Sequence, residues 1–237
     1  MFSPSANFYD IIYETVGKNY ELEANRLISF VRQHQNGHAR TLLDVACGTG
    51  EHLKYLQKEF AVEGLDLDAE LLKSVSQKLP NVPVHHANML DFDLNQTFDV
   101  VACLFSSIGY AATNENLHLA TKNMQKHTSA GGLLLIEPWF SPERFNSGVV
   151  HATFVNQPSL KIARMNVSKV IDGKISVLDF HYLVATPEGI KHFTEHHELG
   201  LFTHKEYLAT FEECGMKTIY DEQGLNGRGL YIGVNPL

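Results

Sequence analysis

Thr41-Leu42-Leu43-Asp44-Val45-Ala46-Cys47-Gly48-Thr49-Gly50 reads as a short apolar strand that runs straight into a glycine turn, and Glu51 to Lys58 then resumes a helical pattern. Strand, glycine turn and helix in that order form the opening unit of a doubly wound sheet. Downstream, a second strand at Ala61 to Leu65 closes on Asp66-Leu67-Asp68, where a carboxylate can cap a helix from Ala69 to Leu79. A third strand is expected at Val82 to His86. A fourth, Phe98 to Phe105, runs into Ser106-Ser107-Ile108-Gly109-Tyr110. Helix Glu115 to His127 then leads through Ala130-Gly131-Gly132 to a fifth strand, Leu133 to Glu137, stopped by Pro138. Upstream, a helix from Tyr20 to Gln35 places Leu27, Phe30 and Val31 on one face.

From about Val149 to Phe202 the period changes to strand alternation around Asp172-Gly173 and Pro187-Glu188-Gly189, which predicts antiparallel hairpins. Helix Thr203 to Cys214 and strands Met216 to Asp221 and Gly229 to Val234 return to the parent sheet. The expected architecture is one α/β, Rossmann-like domain over 1–237 with a seven-stranded sheet. Within it, 1–38 is an N-terminal lid, 39–140 the cofactor-binding core, 149–202 an antiparallel β-hairpin insertion after the fifth strand, and 203–237 the return to the core sheet.

The 237 residues contain no apolar run long enough to span a bilayer, and Met1-Phe2-Ser3-Pro4-Ser5 lacks the segments of a signal peptide, so a cytoplasmic protein is expected. Cys47, Cys103 and Cys214 are widely spaced without a CxxC pair and read as reduced thiols. With 19 basic against 27 acidic residues the formal charge is -8, which disfavours nucleic acid and favours a small-molecule partner. Thirteen histidines are scattered without ligand spacing, so no metal is expected.

Ligands of a doubly wound sheet bind beyond the carboxyl ends of its strands, where the loop from Asp44 through Ala46 and Gly48 to Gly50 lies. A dinucleotide fingerprint would need a third glycine where Leu53 stands, and a phosphate loop would need a lysine at the turn. S-adenosylmethionine fits better: it has no phosphate, and its sulfonium and ammonium favour carbonyls and carboxylates. Asp66, eighteen residues after Gly48, is placed to accept both ribose hydroxyls.

With Gly64-Leu65-Asp66, Asn88-Met89-Leu90-Asp91-Phe92 and Phe98-Asp99-Val100-Val101, the glycine loop resembles the class I S-adenosylmethionine-dependent methyltransferases. Tyr9-Asp10, Gly17-Lys18-Asn19-Tyr20, Phe105 to Gly109, Glu137-Pro138-Trp139 with Pro142, and Gly227-Arg228-Gly229-Leu230 narrow the resemblance. The nearer group is the bacterial N,N-dimethyltransferases of nucleotide-linked amino sugars. The resemblance covers nearly the whole chain and implies that Ala46, Gly48, Asp66 and Leu104 line the cofactor, that Leu67 flanks the ribose, and that Asn88 and Met89 hold the adenine. Asn88 stands where the family usually has aspartate. Tyr9 and Tyr20 would come from the lid, Tyr9 in a catalytic role and Tyr20 against the cofactor.

Methyl transfer from a sulfonium is an in-line displacement, so alignment and exclusion of water matter more than a strong base. The resembling enzymes have a histidine where this chain has Tyr110; a phenol orients an amine better than it deprotonates one. Ser106, Ser107, Arg164, His181 and Arg228 are expected on the acceptor side, the arginines and His181 on a nucleotide diphosphate. His196 and Glu198 share a strand face and are expected to be structural. Two other classes are compatible with this sequence: transfer or cyclisation of the aminobutyryl arm, revealed by methylthioadenosine as by-product, and a non-catalytic cofactor-binding partner. Either a monomer or a homodimer is expected.

Overall fold

The computed structural model describes residues 4–35 and 39–237. Met1-Phe2-Ser3, part of the stretch read for a leader, and His38 lie outside the described residues. Helices α1 (Tyr9–Thr15) and α2 (Tyr20–Gln35) precede β1 (Thr41–Val45), α3 (Glu51–Leu56), β2 (Ala61–Asp66), α4 (Ala69–Lys78), β3 (Val84–His86), β4 (Phe98–Cys103), α5 (Asn114–Lys126) and β5 (Thr128–Ile136). Four long strands follow, β6 (Val150–Gln157), β7 (Leu160–Ile171), β8 (Ile175–Thr186) and β9 (Gly189–Gly200); then come α6 (His204–Glu213), β10 (Lys217–Asp221) and β11 (Leu230–Val234).

The main sheet has seven strands in the order β10-β11-β5-β4-β1-β2-β3, with β11 antiparallel to both neighbours. The alternation legible in the sequence decides which layer each residue enters. Leu42, Val100, Ala102, Leu133 and Leu135 face α2, α3 and α4, while Leu43, Val45, Val101, Cys103, Leu134 and Ile136 face α5 and α6. Asp68 caps α4 as expected, accepting from the amides of Glu70 and Leu71. Chain order reverses between β1 and β4, so the crevice lies at their carboxyl ends.

The hairpin segment is a separate four-stranded antiparallel sheet in the order β6-β7-β8-β9. Its inner face packs Val155, Ile162, Tyr182 and Val184 against Ile12 of α1. Most boundaries move by only one or two residues, but two differences from the sequence reading are larger. Strand β5 starts at Thr128 instead of Leu133, because a register shift against β4 between Phe98 and Val100 absorbs the glycine pair as an irregularity within the strand. A further hairpin turn falls at Pro158-Ser159, which carries no Asx-Gly signal. Among the described residues no helix is long and apolar enough to cross a membrane.

Candidate functional site

Two loops at the reversal point have unusual backbone. After β1, Ala46 (φ 61°) and Gly48 (φ 57°) are left-handed, and after β4 so are Phe105 (φ 50°) and Ser106 (φ 62°). The first loop is pinned by the Cys47 amide on the Leu65 carbonyl (3.0 Å) and by the Gly48 amide on Asp66 Oδ2 (2.8 Å). The second is pinned by the Phe105 amide on buried Glu137 (2.6 Å) and by the Ser106 hydroxyl on the Pro138 carbonyl (2.7 Å). No atom lies within 4 Å of where a Cβ on Gly48 would stand, so the loop leaves its cavity side open to a ligand. Gly50 is different. A Cβ there would come 3.0 Å from Val75 Cγ1, so this glycine seats α3 against α4 and does not line the cavity, contrary to its expected cofactor role.

A cavity of about 310 Å³ opens between these loops. Asp66, Leu67, Asn88 and Met89 line one wall, Ala46 and Gly48 the floor, and Tyr9, Ser107 and Tyr110 the opposite side. Asp66 was expected to accept the ribose hydroxyls. Its carboxylate also ties the loop after β1 to the turn after β2, since Oδ1 accepts from the Asp68 amide and Oδ2 from Gly48, both at 2.8 Å. Each oxygen keeps a second lone pair for a hydroxyl. Burial raises its pKa against those two backbone bonds. The Asn88 carbonyl oxygen accepts from the Leu90 amide (3.1 Å), which directs the asparagine as a turn residue.

A narrower recess continues from the cavity to Tyr20, Asp44, Leu104 and His52. Asp44 shares the face of β1 with Leu42. Among the described residues neither of its oxygens has a hydrogen-bond partner, and burial pushes its pKa up to about 7 in spite of His52 nearby. Among the same residues the buried Tyr20 hydroxyl also lacks a partner. Beside them Lys18 and His52 both contact Glu23 (2.7 and 2.8 Å). Burial works to raise the Glu23 pKa, yet these two partners hold it at about 2. A buried carboxylate with no partner, open to a recess, calls for a cationic ligand; the sulfonium and ammonium of S-adenosylmethionine fit that demand.

Beyond Tyr9 the walls turn aromatic and cationic. The Tyr9 and Tyr13 rings lie 4.7 Å apart, and Tyr13 meets Phe105 edge-on at 4.9 Å. Lys18 sits 3.6 Å over Phe105, and the Arg228 guanidinium lies 5.2–5.7 Å from Phe105, Trp139 and Phe140. Arg164 lies over Tyr13 and Phe180. Among the described residues neither arginine has a carboxylate within 4.0 Å. Arg228 borders cavities of about 650 and 390 Å³.

Two acceptor-side expectations change. Ser106 is buried and does not line the cavity; its hydroxyl accepts from Arg228 (2.8 Å) and so holds the arginine in place. His181 lies on the face of β8 opposite Tyr182, exposed and stacked on His192 at 5.8 Å, so it is separated from Arg164 and from the crevice. His196 bridges Asp179 and Glu198 on that same outer face. The sequence reading missed His197, whose Nδ1 lies 3.0 Å from the Tyr110 hydroxyl, along with Lys18, Glu23 and His52. Alternation along β9 held a signal for the first of these, since it puts Glu195 and His197 on the face of Leu199.

The sequence pattern of a methyltransferase domain matches residues 42–132. The dTDP-4-amino-2,3,4,6-tetradeoxy-D-glucose N,N-dimethyltransferase of Saccharopolyspora spinosa is 38% identical over 236 residues, 99% of this chain and 94% of that protein. The crystal structure of Streptomyces venezuelae DesVI superposes with a TM-score of 0.91 at 39% identity, covering 97% of this chain and 98% of that one. CalS10, an amino pentose methyltransferase from Micromonospora echinaspora solved with S-adenosylmethionine bound, gives 0.87 at 35% identity, covering 96% of each chain.

Proposed function

The chain belongs to the S-adenosylmethionine-dependent methyltransferase family, and we propose that it methylates the amine of a nucleotide-linked amino sugar. S-adenosylmethionine supplies a methyl carbon whose bond to sulfur breaks as its bond to the acceptor nitrogen forms. The chain's own residues bind, orient and dry that encounter. Asp44 and Tyr20 close the recess behind it, Asp66 and the glycine loop hold the nucleoside, and Tyr9 and Tyr110 present hydroxyls toward the acceptor.

The observation that carries the acceptor is the pair Arg164 and Arg228, held on aromatic rings with no carboxylate partner. Such sites suit an anionic group recognised by a planar fork, as a diphosphate would be. Mass spectrometry is the test: dTDP-4-amino-2,3,4,6-tetradeoxy-D-glucose and isomers with the amine at C3 should gain methyl groups on nitrogen, one S-adenosylhomocysteine forming per methyl. Methylthioadenosine as the by-product, or no turnover on any amine, would overturn the reading.

Asp66→Asn and Asp66→Ala separate the two jobs of this residue. Both lose strength on the ribose, with an expected loss in S-adenosylhomocysteine affinity of about 1.5–3 kcal/mol. Asparagine keeps one acceptor oxygen and so loses one of the Gly48 and Asp68 amides, whereas alanine loses both and should bind more weakly. Calorimetry that finds wild-type affinity in both variants would put the ribose elsewhere.

A further inference from the structure

We infer that Tyr110, His197 and Glu195 form a proton relay that takes the proton of the acceptor ammonium out of the cavity and into the seam between the two sheets. The inference rests on the N-methylation reading above. An aliphatic amine is protonated at neutral pH, and its lone pair must be freed before it can attack a methyl group. Tyr110 is the cavity end of the chain, 37% exposed and lining the wall opposite Asp66. Its hydroxyl lies 3.0 Å from His197 Nδ1. His197 is 2% exposed, and its Nε2 stands 3.6 Å from Glu195 Oε2. Glu195, 4% exposed, accepts from the Ser5 amide (2.9 Å) and hydroxyl (3.0 Å).

The protonation states support this direction. Burial keeps Tyr110 well above the ordinary phenol range, so it stays a phenol, able to accept one proton while passing on its own. Burial alone would raise Glu195, but the nearby His197 imidazole and bonds from Ser5 and Tyr182 outweigh it and keep the carboxylate ionised, ready to stabilise an imidazolium. The other groups facing this chain are Tyr9 and Tyr13 from α1, Arg164 from β7, Phe180 and Tyr182 from β8, and Asp66 across the cavity. The surrounding packing is apolar, built on Val155, Ile162 and Val184, and a tie that only joined the sheets would have no need of a buried histidine–carboxylate pair.

The bookkeeping closes with one proton per methyl. The ammonium N–H proton passes to Tyr110 Oη, the phenol proton passes to His197 Nδ1, and the imidazolium faces Glu195. The freed nitrogen then takes the methyl. After product leaves, the held proton returns through Tyr110 to water.

The test measures kcat/KM on the dTDP-amino sugars as a function of pH for Tyr110→Phe, His197→Asn and the double variant, with S-adenosylhomocysteine binding as the check on folding. Asparagine keeps an acceptor for the Tyr110 hydroxyl at the place of Nδ1 and cannot take its proton. Each single variant is expected to lose roughly tenfold to a hundredfold at pH 7, the loss fading toward about pH 9 as solvent deprotonates the amine. The double variant should be no slower than either single one. Wild-type rates in His197→Asn at pH 7, a loss equal at every pH, or additive losses would each overturn the relay while leaving N-methylation standing. Failure of the wild-type protein to methylate any amine overturns the reading beneath it.

Discussion

Replacing Asp44 with asparagine is expected to weaken cofactor binding severely and at the same time to stabilise the ligand-free protein. Asp44 is buried on β1 with both oxygens unpartnered, and its pKa is raised from 3.8 to about 7, chiefly by desolvation. Below about pH 4 both the folded and unfolded chains hold this proton, and the group has no effect on stability. As pH rises toward 7 the unfolded chain has already released the proton and the folded chain has not. The destabilisation grows across that window and is constant above it, at about 4 kcal/mol. Asparagine removes the titration. Its ligand-free melting temperature at pH 8 should therefore exceed that of the wild type, with the advantage shrinking as pH falls to 4. A cation seated against Asp44 relieves the same penalty, so removing the charge should weaken S-adenosylmethionine binding by about 3–5 kcal/mol. Binding to the wild type near pH 6.5 should also release a proton, which calorimetry in buffers of different ionisation enthalpy detects. Wild-type affinity in Asp44→Asn, or a melting difference that ignores pH, would remove the cation from this recess.

Local chemistry made most of the core legible. Asp44, Gly48 and Asp66 lie within one strand–turn–helix–strand unit, and the parallel register of Asp44 with Gly64 brings them together with no help from distant sequence. The acceptor side depends on pairings between remote segments, and there the reading went astray. Arg164 and His181 sit near each other on paired strands, Met165 being opposite His181, yet a step of one residue turns them to opposite faces. Tyr110 shows the same limit from the other direction. Its neighbours in the chain offer no charge or base, and its partner His197 arrives from 87 residues away, on a strand where His196 and Glu198 drew attention to the wrong face. Ser106 read as a substrate contact because it lies in the loop after β4. Its left-handed backbone instead turns the hydroxyl inward, to the Pro138 carbonyl and Arg228.

Arg228→Met is expected to raise KM for a dTDP-linked amino sugar by roughly thirtyfold or more, as loss of a charge-assisted contact worth about 2–4 kcal/mol implies. Methionine keeps an apolar stem against Phe105, Trp139 and Phe140, so the aromatic wall should stay in place. Arg228→Lys retains the charge but lacks the planar fork that stacks on those rings, and should fall between the two. The Ser106 hydroxyl also loses its arginine in these variants, and Ser106→Ala controls for that; it should cost only the neutral-side fraction, about 1 kcal/mol or less. Cofactor affinity should be unchanged, since Arg228 borders the two outer cavities and not the one lined by Asp66 and Gly48. The discriminating substrate is the free amino sugar, which has no diphosphate: its already weak turnover should be the same in the wild type and in Arg228→Met. If the free sugar loses the same factor as the nucleotide-linked one, Arg228 acts on the sugar or on the loop after β4, and the diphosphate is held by other groups.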